Sequence, residues 1–375
     1  MPTGATTEPP ADSTVLGIYP SWSRYERDYR PRNVPLEQLT HLQYAYLTVD
    51  EDGSVGYADE YGDPRNLRGF RRRRADNPDV SMILSIGGFF ASRYYSVAAS
   101  DETRRRRFAR TAIELMREYE FDGLNVDWQY PGGDNPNNFT DDEDIDRFTL
   151  LLQEVRRQLD VAGSEDDADY ELSISAAINP EVTEQLDVAG FADAVDRVNV
   201  MAYDYTGPWE RRTGFNAPLG NPFPEEAPDN PFTVSRAMEA WQAQPIDASK
   251  LILGFASYGR AFTGVPGTNR GFDQEYEGLP EGSVGGEEGP YTYHDILNKL
   301  LPDNDYEYHW HDDAAAPFLY SAADDEFVTY ENTRSVVEKA RYVRDNEFGG
   351  MAMWDVYGDR DGVLLYMANS ALGGE

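Results

Sequence analysis

The sequence predicts an α/β fold: a closed (β/α)8 TIM barrel with an α+β insertion subdomain between its seventh and eighth strands. Three observations lead there. Eight short apolar runs alternate with amphipathic helical stretches, no glycine-rich dinucleotide turn follows the first run, and the alternation breaks once, late in the chain. A chain of 375 residues is long enough for one such barrel with an insertion.

In chain order, residues 1–13 (MPTGATTEPPADS) are rich in Pro, Thr and acids without an apolar period, and read as a flexible leader or linker stub. The strand candidates follow: VLGIYP from Val15, HLQYAYL from His41, SMILSIGG from Ser81, FDGLNVDWQ from Phe121, ELSISAAI from Glu171, RVNVMAYDY from Arg197, KLILGFASYG from Lys250 and GGMAMWDVY from Gly349. Near-continuous apolar runs of this length suit parallel strands covered on both faces. Between them ETRRRRFARTAIELMREY, EDIDRFTLLLQEVRRQL and NTRSVVEKARYVRD carry helical periodicity. About ninety residues separate the last two strand candidates, more than an ordinary connection holds. The expected division is therefore a barrel over 14–262 and 329–375 and an insertion over 263–328, with Gly-rich turns and Tyr-rich strands.

Charge narrows the function classes. The 68 acids and 33 bases give a formal net charge of −35, and only Lys250, Lys299 and Lys339 are lysines. Such self-repulsion strains a compact chain in dilute buffer and is screened by molar salt, so the composition reads as halophilic. A disordered acidic chain fits poorly, because 40% of residues are apolar and 13% aromatic. The arginine runs at 71–74 and 104–107 sit on helices among acids, and read as solvated helix faces rather than a nucleic-acid site. No apolar run is long enough for a membrane span. Without cysteine there is neither a disulfide nor a thiolate metal site. His309 and His311 lack a third ligand at useful spacing and read as an exposed strand. DDEDID at 141–146 lacks the calcium-loop glycine and suits the first turn of a helix. No metal or cofactor is expected, and the chain is expected to be a monomer.

The stretch FDGLNVDWQYPGG raises the functional question. Alternation puts Asn125, Asp127 and Gln129 on one face and Leu124, Val126 and Trp128 on the other. The apolar set suits the layer between barrel and helices, which leaves the polar row inside the barrel. Burying such groups unpaired costs several kcal/mol, roughly 2–7 on transfer scales, so the row is either a satisfied structural network or a working site. Gln129 lies at the C-terminal end of its strand, where barrel enzymes keep their chemistry.

DGLNVDWQYP resembles the D-x-x-D-x-D-x-E strand of glycoside hydrolase family 18, the chitinases and their relatives. GIYPSW, SIGG, MAYDY followed by TGPW, YGRAF and GGMAMWDVY resemble other motifs of that family in the same order, over roughly residues 15–370. The resemblance implies substrate-assisted retaining hydrolysis of chitin or N-acetylglucosamine oligosaccharides. In that chemistry the acetamido oxygen attacks its own anomeric carbon while a glutamic acid protonates the departing oxygen. By position, Asp127 matches the acid that orients the acetamido group and Asp122 the first acid of the motif. Asn125 replaces an inner aspartate, and Gln129 replaces the proton donor. Tyr203 and Asp204 match the pair that bonds the acetamido group, Met201 the same wall, and Trp354 the indole beneath the sugar. Tyr19 and Ser85 match partners of the acids. Tyr258 and Arg260 are expected at the mouth, on the seventh strand.

Glutamine keeps the shape of glutamate and cannot deliver a proton near neutral pH, so binding is expected to survive and cleavage to be lost or severely impaired. Three explanations stay open: a natural chitinase-like lectin, a deliberately disabled chitinase, or an active enzyme with a displaced acid. For the third, the nearest candidates are Asp134 and Glu143. A scaffold that presents the insertion to a protein partner is a further alternative. Because chitin lies outside cells, an extracellular location is inferred from the substrate class.

Overall fold

A computed structural model describes residues 13–374 except 26, 134, 224–231 and 285–287, so the first twelve residues of the expected leader lie outside the described residues, as does Asp134. Fourteen strands are described: β1 (Thr14–Pro20), β2 (His41–Val49), β3 (Val55–Tyr57), β4 (Ser81–Gly87), β5 (Gly123–Asp127), β6 (Glu171–Ala176), β7 (Arg197–Val200), β8 (Leu251–Ala256), β9 (Tyr258–Thr263), β10 (Pro290–Thr292), β11 (Tyr306–His311), β12 (Ala316–Ser321), β13 (Glu326–Thr329) and β14 (Gly350–Trp354). Parallel pairing in the order β1, β14, β8, β7, β6, β5, β4, β2, closed by β1 against β2, makes the eight-stranded barrel. All eight apolar runs of the sequence supply its strands. β3 is a short antiparallel addition to β2.

The helices form because their apolar residues recur on one face. In Glu102–Tyr119, Phe108, Ala112 and Met116 are buried at four-residue spacing with Ala109 and Ile113 beside them. Asp101 caps that helix by accepting from the Arg104 backbone N–H at 2.9 Å. The two arginine runs are tied down by acids and carbonyls: Arg71 to Glu120, Arg74 to Asp122, Arg104 to Asp101, Arg107 to Asp52, while Arg73 donates to the Pro31 carbonyl.

Between barrel and helices lies the main core. Trp128, on the outward face next to β5, stacks on Tyr95 with centroids 5.2 Å apart. Inside the barrel a small apolar cluster of Leu16, Ile18, Ala45, Ile252 and Ala352 shares the space with polar side chains of β4 to β7. Gly87 takes φ +105°, and a Cβ there would stand 2.3 Å from the Asp127 carbonyl oxygen, so glycine lets the end of β4 close onto β5.

A second, antiparallel sheet has the order β10, β9, β13, β12, β11. It corrects the placement of Tyr258 and Arg260: they are not on the seventh barrel strand, which ends at Ala256, but on β9. Ser257 makes the break. Its N–H donates to the Trp354 carbonyl at 2.8 Å and its hydroxyl to the Asp355 carbonyl at 2.6 Å, pinning the chain to the end of β14 as it turns outward. His309 and His311 are also corrected, from an exposed strand to half-buried rings. Alternation along β11 turns them toward Phe318 and toward Phe215 and Phe272, with centroids 5.0 to 5.3 Å apart, and burial lowers both pKa values.

Candidate active site

Three barrel strands and their extensions meet at the C-terminal mouth. From β5, Asn125, Asp127 and then Gln129 point inward and are almost completely buried. Asn125 satisfies both ends of its amide. Its Nδ2 donates to Ser85 Oγ at 2.8 Å and Ser175 Oγ at 3.0 Å, and its Oδ1 accepts from Ser173 Oγ at 2.9 Å and Asn199 Nδ2 at 3.3 Å. Asn199 in turn donates to Gln43 Oε1 at 3.2 Å. The barrel interior below the mouth is thus wired by neutral groups from five strands.

Above that network, Gln129 Nε2 donates to Asp127 Oδ1 at 2.8 Å and approaches Met201 Sδ at 3.5 Å. Its backbone is clamped as well: its N–H donates to Ser92 Oγ at 3.0 Å, and its carbonyl accepts from Asn135 Nδ2 at 2.9 Å and Asn138 Nδ2 at 2.6 Å. Burial pushes the Asp127 carboxyl up to about 6, against hydrogen bonds from Gln129, Ser175 and Tyr46 that favour its charged form.

A pocket here is lined by Asp127, Ser175, Asn199, Met201, Tyr203 and Trp354, with Tyr46 and the apolar Ile18, Val200 and Ala352 completing the wall. Trp354 stacks on Tyr46 at 6.0 Å and lies 6.3 Å from the exposed Trp22. Farther out, Asp204 sits at φ +65° with its N–H donating to Asn216 Oδ1 at 3.1 Å. Its carboxylate accepts from the Tyr258 hydroxyl and from Arg260 Nε at 2.8 Å and Nη2 at 2.6 Å. Arg260 lies over the Trp209 ring at 4.8 Å. Phe89 and Phe90, at the end of β4, add further exposed rings.

The structure thus brings together Ser85, Asn125, Asp127, Gln129, Met201, Tyr203, Asp204, Tyr258, Arg260 and Trp354. Two expected residues lie elsewhere. Tyr19 has the opposite parity to Ile18, so it faces the outer layer, donates to the Tyr29 carbonyl at 2.8 Å and packs on Phe70 at 5.0 Å. Asp122 precedes β5 at the opposite end of the barrel, where it accepts from Arg74 Nη1 and the Met82 N–H, both at 2.7 Å. Five strand residues at about 3.3 Å each put it roughly 17 Å below the mouth. Glu143 stands on an exposed turn with its carboxylate on Arg147 at 2.6 Å, away from the Asp127 pocket.

Sequence reasoning missed Tyr46, Gln43, Ser173, Ser175, Asn199, Trp22 and Trp209. A usable signal existed for the inner ones: each is a polar or hydroxyl-bearing position alternating within an otherwise apolar strand. Among the described residues no group of three or more His, Asp or Glu side chains could hold a metal ion, and no helix is long and apolar enough to cross a membrane. A second hollow, lined by His41, Ser249, Arg344 and Glu347, opens at the far end of the barrel, away from these groups.

Comparison with known proteins bears on this geometry. A family model described as glycosyl hydrolases family 18 matches residues 14–359. Chitinase A1 of Niallia circulans is 29% identical over 411 aligned residues, covering 96% of this chain and 58% of its own length. Endochitinase 1 of Metarhizium robertsii is 29% identical over 403, covering 99% and 90%. Among solved structures, the Group IV chitinase of Ostrinia furnacalis in complex with allosamidin superposes with a TM-score of 0.89 at 26% identity, over 96% of this chain and 99% of that one. A doubly substituted family 18 chitinase of Cycas revoluta in complex with (GlcNAc)4, one of whose substitutions replaces a glutamate by glutamine, gives 0.83 at 26% over 96% and 100%.

Proposed function

The chain belongs to glycosyl hydrolase family 18, and from that premise we propose that it binds chitin and its N-acetylglucosamine oligomers at the barrel mouth while cleaving them very slowly or not at all. The observation that carries the reading is the amide at Gln129. It stands at the end of β5 beside Asp127, where the family strand ends in its proton donor, and its Nε2 already donates to the Asp127 carboxylate.

In this reading Asp127 accepts the acetamido N–H and holds the acetamido oxygen toward the anomeric carbon. Tyr203 and Met201 wall the group, and Trp354 supports the sugar face. Asp204, fixed by Tyr258 and Arg260, shapes the outer side. The exposed rings of Trp22 on one side and Phe89 and Phe90 on another extend a stacking surface for further sugar units. Binding uses all of these groups. Departure of the leaving oxygen needs a proton that a glutamine cannot give, which removes about two to four orders of magnitude of general-acid catalysis.

Both a natural lectin and a disabled enzyme follow from the same atoms and share this behaviour. The Cycas structure supports the reading by example, since a glutamate-to-glutamine substituted relative is there in complex with its oligosaccharide. An extracellular location follows from the polymer substrate, and a monomer suffices because one chain supplies every group named. Halophily is part of the proposal. Lys250 donates to the Ala192 and Val195 carbonyls and Lys339 is buried on Glu331, so only Lys299 among the lysines offsets the acidic surface from an exposed position. Melting temperature should rise from dilute to molar salt; a flat or falling curve would remove that part.

The binding claim is tested by calorimetric titration with N-acetylglucosamine hexamer in molar salt. A saturable heat at one site per chain is expected. No affinity would leave the barrel as a scaffold.

A further inference from the structure

We infer that the pocket beneath Trp354 also accepts a de-N-acetylated amino sugar, a glucosamine unit whose free ammonium takes Asp127 as its counter-ion. This rests on the reading above that the mouth holds amino-sugar oligomers, and it names a second ligand class for the same pocket.

Two independent observations carry it. Asp127 is a buried carboxylate whose partners are neutral, and no Lys, Arg or His among the described residues pairs with it. A buried carboxylate without a cation is a standing attraction for one. Separately, Asn199 is buried on the wall of the same pocket, and its Oδ1 has no hydrogen-bond partner among the described residues. Its Nδ2 is committed to Gln43 Oε1 and Asn125 Oδ1, which fixes the end of the amide left without a partner.

The pocket wall therefore presents one unpaired negative charge and one unused acceptor. An acetamide nitrogen brings a single donor and no charge; an ammonium brings three donors and a positive charge. The acetyl group is indispensable to the hydrolytic chemistry, because its oxygen is the nucleophile. For binding alone, Asp127 requires only a donor. The two ligands would then be gripped differently: the acetylated sugar keeps its methyl on the apolar wall of Ile18, Val200 and Ala352, while the amine depends on Asp127. The net charge of −35 attracts any polycation at low salt, so the pocket interaction is isolated only where that field is screened.

The experiment titrates glucosamine hexamer and N-acetylglucosamine hexamer, in molar salt at pH 6.5, into the chain and into Asp127→Asn. Both hexamers are expected to bind the unsubstituted chain and to displace each other. Asp127→Asn should weaken the amine hexamer by at least about tenfold more than the acetylated one, the loss of a charge-assisted contact. If the acetylated hexamer binds and the amine hexamer does not, the inference is overturned and the function above stands. It is equally overturned if amine binding resists displacement or survives Asp127→Asn undiminished. If neither hexamer binds, the proposed function fails and takes this inference with it. Met201→Lys provides a second variant should Asp127→Asn not fold. It sets a cation beside Gln129 and is expected to expel the amine hexamer; continued tight binding of that hexamer would contradict the inference.

Discussion

At the N-terminal end of the barrel, Asp122 meets Arg74, and Glu171 meets Arg197 with the neutral His41 ring 3.4 Å away. At the mouth, Asp204 is neutralised by Arg260, but Asp127 has only amide and hydroxyl partners among the described residues. The first arrangement is complete in itself. Burial and the neighbouring Arg197 hold His41 uncharged, with a pKa near 3, and burial draws Arg197 down to about 10. The second leaves a charge, an unused acceptor and stacked rings facing open space. The difference separates groups that hold the barrel together from groups that wait for a ligand, and it explains why one inward row of polar residues can serve both ends.

The sharpest way to break the comparison is to give the mouth its acid. Gln129→Glu should raise hydrolysis of the acetylated hexamer by about two to four orders of magnitude, and adding Asn125→Asp should raise it further. A double variant that binds and stays inert would place the proton donor elsewhere.

The converse substitution at the other end should touch stability alone. Arg197→Met strands the Glu171 carboxylate, and denaturant unfolding should show a loss of about 3 kcal/mol with hexamer affinity unchanged. A matching loss of affinity would mean the two ends are not separable.

Asp127→Asn sharpens the contrast through pH. Because burial raises the carboxyl from 3.8 to about 6 in the folded chain, its contribution to stability is fully present below pH 4 and is lost as pH rises through 6. The asparagine variant escapes that loss. Its stability relative to the unsubstituted chain should grow between pH 4 and pH 7, by up to about 3 kcal/mol. A difference that stays constant with pH would show that Asp127 is not desolvated as described.

The smallest expected effect is at the sugar floor. Trp354→Ala should weaken hexamer binding by about 1–2 kcal/mol, measured calorimetrically, since it removes one stacking face and leaves the polar grip of Asp127 intact.

The barrel strands were legible because each is a short apolar run between helical periods. The second sheet's first strand was not separable, because KLILGFASYG runs on without a glycine or proline break; the turn is made by Ser257 through hydrogen bonds to residues about a hundred positions away. Tyr19 was misassigned by motif where parity with Ile18 points it outward, and Asp122 because a motif fixes spacing and not the end of the barrel. The row of Asn125, Asp127 and Gln129 could be read from alternation on one strand. The partners of Asn125 could not, since Ser85, Ser173, Ser175 and Asn199 come from three other strands and meet only when the barrel closes.

The most direct test of the central claim is a mass-spectrometric time course of N-acetylglucosamine hexamer with the unsubstituted chain in molar salt. The account predicts that the hexamer remains intact while it co-migrates with the protein. Shorter oligomers accumulating at an enzymatic rate would contradict it, and would mean that another group delivers the proton Gln129 cannot.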